Sequence, residues 1–290
     1  MLSKQEFHQL TSGEPLLLDG ATGSNLLLAG MPKGCCTEKW VLENPDAIIS
    51  LQRGYFQSGS QIIYAPTFQA QPVALEKVGL AEQTEKINAS LIALTREAAP
   101  GCLVAGDIAT LAAHLESWNP DCFDTMVENY RRQIRGLIDG GADLLVGETL
   151  LYAQEAEAIL TAAELECAGA VMLSFTMQSD GSLFSGADAG KVLHELESAG
   201  ADAVGFNCVA ADMMTPHLVS KLRRYTSLPL ICKPNAGNPV INKDGIAEYD
   251  LSADAFAEIM KQCAGNGARL LGGCCGTDPS FIAALERALA

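Results

Sequence analysis

The stretch GGADLLVG, Gly140–Gly147, decides how this chain is read. Glycines suited to a helix C-cap lead straight into a short run that is apolar on both faces. The phrase returns as AGADAVGF (Ala199–Phe206) and GNGARLLG (Gly265–Gly272). Each closes a helical pattern and opens a strand without a polar face, as expected of parallel strands covered by helices. Outward from these, apolar runs ending in a small or polar residue recur at Leu16–Asp19, Gln61–Ala65, Cys102–Gly106, Ala170–Ser174 and Leu228–Lys233. With Asp143–Gly147, Ala203–Asn207 and Arg269–Gly272 they make eight strand candidates.

Amphipathic helical patterns fill the gaps over Met126–Asp139, Ala153–Leu165, Ala189–Ser198 and Ser252–Ala264. Eight strands alternating with helices over 290 residues predict an α/β fold, a single (β/α)8 TIM-type barrel with its active site at the C-terminal ends of the strands. The other arrangement is an open doubly wound sheet. No GxGxxG opens the first helix, and DGATGSNL (Asp19–Leu26) is only superficially similar. No linker or low-complexity tract interrupts the chain, so residues 1–290 read as one domain.

Composition fits that reading. The chain is 48% hydrophobic and only 6% aromatic, which suits stacked helices on a parallel sheet. A formal net charge of −16 argues against nucleic acid or an anionic membrane surface as a partner. The N-terminal MLSKQEFHQL has no apolar core of a signal peptide, and no stretch approaches the roughly 18 apolar residues that span a bilayer. A cytoplasmic location is therefore expected, where the 10 cysteines stay reduced and serve burial, metal binding or catalysis rather than disulfides.

In a barrel the strand ends carry the chemistry. Here they are Asp19, Ala65-Pro66-Thr67, Asp107, Glu148, Ser174, Asn207-Cys208, Lys233-Pro234-Asn235 and Cys274-Cys275. Cys208 ends the sixth strand, and Cys274-Cys275 end the eighth within LGGCCGT (Leu271–Thr277). One strand separates them, so the three thiols can converge across the mouth. Three thiolates suit a tetrahedral Zn²⁺ with one open position. The rival readings are small buried hydrophobes, as expected of Cys102, Cys167, Cys232 and Cys263, or a strained vicinal disulfide. Cys35-Cys36 form a second adjacent pair, read as incidental loop thiols. The four histidines fall in helices or loops, and His114 alone follows a strand closely enough to approach the mouth.

DGATGSNL, QSGSQIIYAPTF (Gln57–Phe68), GETL (Gly147–Leu150), VGFNC (Val204–Cys208), KPNAG (Lys233–Gly237) and GGCCGT (Gly272–Thr277) occur in the order seen in the homocysteine S-methyltransferase family. The chain resembles that family throughout, most of all the homocysteine-binding module of cobalamin-dependent methionine synthases. The resemblance implies Zn²⁺ on Cys208, Cys274 and Cys275, and a substrate thiol that loses its proton on the metal and accepts a methyl group. It also implies an amino-acid subsite. Glu148 is the expected partner of the α-ammonium, and Asp19 contacts the ammonium or braces its loop. The turn Gly20-Ala21-Thr22 and following residues receive the carboxylate. Ser174 is assigned to the same substrate site, and Asn207 and Asn235 hold the thiolate ligands or fill the open position.

Two segments depart from the module. Ala65-Pro66-Thr67-Phe68 stands where Thr-Asn-Thr-Phe is usual, and Asp107–His114 stands where a Gly-Pro turn is usual. Both face the side from which a donor approaches. The expected donor is a methyl-corrinoid carried by a separate protein, with S-methylmethionine, S-adenosylmethionine or betaine as alternatives. Lys233 at a strand end also raises a Schiff-base aldolase, and a non-catalytic zinc-binding barrel is the remaining alternative.

Overall fold

The computed structural model describes residues 1–112, 114, 122–178, 180–243 and 247–290. One sheet holds eight parallel strands: β1 (Leu16–Leu17), β2 (Ile62–Tyr64), β3 (Leu103–Ala109), β4 (Leu144–Leu150), β5 (Val171–Phe175), β6 (Ala203–Ala210), β7 (Leu230–Asn235) and β10 (Ala268–Leu271). A separate antiparallel hairpin, β8 (Pro239–Ile241) and β9 (Ala247–Tyr249), lies between β7 and β10. The sheet runs β1-β10-β7-β6-β5-β4-β3-β2. Its two edges meet where Gln61 N–H donates to the Leu17 carbonyl at 2.8 Å and Leu17 N–H donates to Gln61 Oε1 at 3.0 Å. The result is a nearly closed barrel, with helices such as Thr84–Ala98, Phe123–Asp139 and Ala253–Gly265 around it.

The alternation of side chains along each strand divides the core in two. Outward-pointing Ile63, Val104, Leu145, Leu173, Val204, Cys232 and Leu271 pack beneath the helices. Inward-pointing Leu16, Ile62, Ala105, Leu144, Met172, Ala203, Ile231 and Leu270 fill the barrel, and Phe7 of the helix Lys4–Thr11 belongs to that inner cluster. The N-terminal segment is tied on by Leu2, which donates to the Asp143 carbonyl and accepts from Ala170 N–H.

The same two-residue step, followed upward, explains the site. Above Ala105 comes Asp107, above Val146 comes Glu148, above Met172 comes Ser174, above Gly205 comes Asn207, and above Ile231 comes Lys233. Apolar layers thus end in a polar top layer supplied by neighbouring strands.

All eight expected strands are present. β3, β4 and β6 each run three residues beyond the expected ends, and the hairpin β8–β9 has no counterpart among the eight expected strands. Among the described residues no helix is long and apolar enough to cross a membrane. Of the divergent loop after β3, Ala113 lies outside the described residues.

Candidate metal centre and active site

Cys208, Cys274 and Cys275 come together at the barrel mouth, their Sγ atoms all within 4.8 Å of one another and Cys274 and Cys275 4.0 Å apart. Sulfurs bound tetrahedrally at about 2.3 Å to one ion stand about 3.8 Å apart, so this donor set fits a zinc ion. Cys275 is pulled down to about 3 by hydrogen bonding first from Cys208 and then from Cys274, while contact first with Cys274 and then with Cys275 pushes Cys208 up. A group that favours a thiolate before any ion arrives suits a soft divalent cation.

Local backbone geometry aims these sulfurs. Cys208 has φ +56°, unusual for a residue with a side chain, and the β6–β7 ladder slips between Asn207 and Ala210. The bulge turns Cys208 out of the alternation and towards the ring of the barrel's mouth. Thr149 mirrors it in β4, also at φ +56° beside a slip between Gly147 and Leu150. The Asn207 side chain joins the two bulges. Its Oδ1 accepts from Thr149 N–H at 2.8 Å and Ser174 Oγ at 2.9 Å, and its Nδ2 donates to Thr149 Oγ1 at 2.7 Å. Its Nδ2 also lies 3.9 Å from Cys274 Sγ.

The adjacent cysteines sit in a turn fixed from both sides. Cys274 N–H donates to the Pro234 carbonyl, and the Cys275 carbonyl accepts from Ala236 N–H. Gly276 has φ +82°, and a Cβ there would run into the Tyr249 ring, so this turn requires glycine. Thr277 Oγ1 donates to the Cys274 carbonyl at 2.8 Å and accepts from Ala21 N–H at 3.1 Å, joining the cysteine turn to the DGATG turn.

The thiols border a cavity of about 440 Å³. Gly20, Ala21 and Thr22 line one wall, and Tyr64, Asp107, Glu148 and Lys233 line the floor. Lys233 Nζ lies 3.3 Å from Asp19 Oδ1, 3.9 Å from Glu148 Oε2 and 4.7 Å from the centre of the Tyr64 ring. Burial works to lower the Lys233 pKa, but Asp19 and Glu148 outweigh it and hold the amine well above its ordinary range. A lysine so firmly protonated is a poor Schiff-base nucleophile. Burial pushes Glu148 up to about 7 against the pull of Lys233.

The sequence-expected residues fall into two groups. Cys208, Cys274, Cys275, Gly20, Ala21, Thr22 and Glu148 line the cavity. Asp19, Ser174, Asn207 and Asn235 are buried around it without lining it. Asp19 Oδ2 accepts from Tyr64 N–H at 2.9 Å, so it braces Lys233 and β2. Ser174 supports Asn207 from behind. Asn235 Oδ1 is buried without a partner. His114 does not line the cavity, and among the described residues neither ring nitrogen has a hydrogen-bond partner.

Sequence reasoning missed Thr37 and Glu38, which line the outer wall. Glu38 is 3% exposed, and its carboxylate accepts from Gln69 N–H at 2.8 Å and Cys36 Sγ at 3.4 Å. The Cys35-Cys36 segment therefore borders the mouth, and Cys36 is pushed up to about 11 by burial. A larger cavity, about 600 Å³, lies by the loops that precede β5 and β6, lined by Lys4, Cys167 and Gly200. Among the described residues the only group of side chains that could hold a metal ion is the three-cysteine cluster at the mouth, and it borders the smaller cavity.

Comparison with known proteins agrees with this geometry. The family model described as homocysteine S-methyltransferase matches residues 16–289. Homocysteine S-methyltransferase of Escherichia coli K12 is 30% identical over 93% of this chain and 94% of that protein. Methionine synthase of Mycobacterium tuberculosis is 27% identical over 94% of this chain, which spans only 24% of that enzyme. The metallated form of the homocysteine methyltransferase MmuM from E. coli superposes with a TM-score of 0.82 at 28% identity, covering 96% of this chain and 98% of that one. The carboxyl transferase domain of Rhizobium etli pyruvate carboxylase, at 16% identity and a TM-score of 0.58, shares the fold alone. The chain is an S-methyltransferase and belongs to the homocysteine S-methyltransferase family.

Proposed function

We propose that residues 1–290 act as one barrel unit that transfers a methyl group to the thiol of homocysteine, giving methionine, with Zn²⁺ on Cys208, Cys274 and Cys275. The observation that carries this reading is the convergence of three thiols beside a cavity that also presents buried carboxylates. Zinc in this seat supplies an open position for the substrate thiol and lowers its pKa, so that the sulfur is nucleophilic near neutral pH. The chain does the rest. Asn207 holds the bulge that aims Cys208, and Thr277 fixes the Cys274-Cys275 turn against the DGATG turn. The glycine-rich turn Ala21–Ser24, which lines the cavity wall, is the proposed seat of the substrate carboxylate. Glu148 faces the cavity as an acceptor for the α-ammonium. The sulfur lone pair then takes the methyl carbon, and the bonding pair departs with the donor.

For the donor we favour a methyl-corrinoid carried by another protein. Phe184, Met213, Met214, Val240 and Ile241 are each more than half exposed, the first three on loops that follow β5 and β6 and the last two in β8 of the hairpin that follows β7. That is the face a protein partner must approach, and exposed apolar side chains suit protein contact. The second reading is a small sulfonium such as S-methylmethionine, which the buried carboxylate of Glu38 on the outer wall favours. The deciding assay supplies zinc-loaded protein and homocysteine with methylcobalamin, a methylated corrinoid protein, S-methylmethionine, S-adenosylmethionine or betaine. Methionine from the corrinoid donors supports the first reading, and methionine from the sulfonium alone supports the second. No methionine from any donor contradicts the homocysteine assignment.

A further inference from the structure

The hairpin β8–β9 lines none of the cavity, and every residue of β8 is exposed. Its base is nonetheless fastened to the cysteine turn. Ala236 N–H donates to the Cys275 carbonyl at 3.0 Å, and the Ala236 carbonyl accepts from Leu251 N–H at 3.1 Å. Asn238 N–H donates to Asp250 Oδ1 at 3.0 Å, which closes the two legs of the hairpin against each other. The arm so fixed turns one large side chain inward. Tyr249, opposite Pro239 in the ladder, is half-buried and packs against the core. Its ring lies against Gly276, where an added Cβ would run into it. Its hydroxyl reaches the Cys275 thiol as a hydrogen-bond donor.

Packing on Gly276 needs only the ring, so the hydroxyl requires its own reason. It places a neutral donor beside one of three sulfurs gathered within 4.8 Å of one another. Three thiolates on one dication leave a surplus negative charge. A donor on a ligand sulfur draws off part of that charge and fixes the direction of the sulfur. The adjacent ligand has a comparable neighbour, since Asn207 Nδ2 lies 3.9 Å from Cys274 Sγ. We propose that Tyr249 is a positioning residue of the metal centre: the hairpin holds its phenol against Cys275, and the O–H···S bond orients that sulfur and tempers its charge. Tyr249 does not line the cavity, so it acts through Cys275 rather than on the substrate. The role rests on the zinc reading of the three cysteines.

Cobalt(II) in place of zinc makes the bond visible, because sulfur-to-cobalt charge transfer absorbs at an energy set by the sulfur lone pairs. A hydrogen bond lowers those lone pairs in energy, so its loss moves the band to longer wavelength. Tyr249→Phe keeps the ring on Gly276 and removes only the hydroxyl. In that variant the band is expected at longer wavelength than in wild type, with the metal held about tenfold more weakly against a competing chelator and with Tm unchanged. Tyr249→Leu, which also removes the ring, is expected to lower Tm as well. A folded Tyr249→Phe whose cobalt band and metal affinity match wild type overturns the proposal and leaves Tyr249 a packing residue. Wild-type protein that takes up cobalt without a sulfur charge-transfer band overturns the zinc reading itself, and the proposal with it.

Discussion

At the scale of single residues, the site sets acidic groups against burial. Glu148 titrates near 7 because its carboxylate is taken out of water, and Lys233 compensates only in part. Pairing with an ammonium requires the ionised form, so affinity should fall as pH drops through about 7. One unit below that point about a tenth of the groups remain ionised, and the dissociation constant should rise about tenfold. Methionine is the ligand to use, since it carries the ammonium but no thiol proton. The expected profile is tighter binding at pH 8 than at pH 6 in wild type and a flat one in Glu148→Gln. A flat wild-type profile contradicts the assigned role.

At the scale of elements, two bulged strand ends are held by one amide. Asn207 is fully buried and bonds Thr149 twice and Ser174 once. Asn207→Ala leaves those groups without partners and frees the positive-φ turns at Thr149 and Cys208. Loss of about 3 kcal/mol of stability is expected, and about tenfold or more in zinc affinity, read by denaturant midpoint and competitive chelation. A variant with wild-type zinc affinity would show that Asn207 does not set the ligand geometry. This is also where legibility in sequence ran out. The period-two rise from Ala105 to Asp107 and from Val146 to Glu148 is visible in sequence, because alternation is a local property of strands. The bulges at Thr149 and Cys208 are not, because a register slip depends on the neighbouring strand. Asp19 and Ser174 were legible as polar strand-end residues, yet only the packed barrel shows that Lys233 and Asn207 occupy them. Glu38 and the hairpin β8–β9 escaped because loop segments that fold over the mouth carry no periodic signal.

At the scale of the whole molecule, the barrel is fastened unevenly. β3 through β7 share long ladders, whereas β1 and β2 meet through a single backbone–backbone bond, supplemented by side-chain bonds from Gln61, Ser60 and Asp19. Opening should start at that seam. Amide exchange of Leu17 and Gln61 is expected to run faster than that of β4 and β5, and Gln61→Ala to accelerate it further at a cost of about 1 kcal/mol. Equal protection around the barrel would contradict this order of opening. The seam lies beside the DGATG turn, so the substrate wall rests on the least securely fastened part of the ring.

The central claim is that three cysteines hold a zinc ion whose open position takes the substrate sulfur. X-ray absorption at the zinc edge tests it most directly. The account predicts three sulfur neighbours at about 2.3 Å and one lighter ligand in the zinc-loaded protein, and four sulfurs after homocysteine is added. Zinc that keeps three sulfurs and its lighter ligand in saturating homocysteine, or zinc that is fully retained by Cys208→Ala, would contradict it.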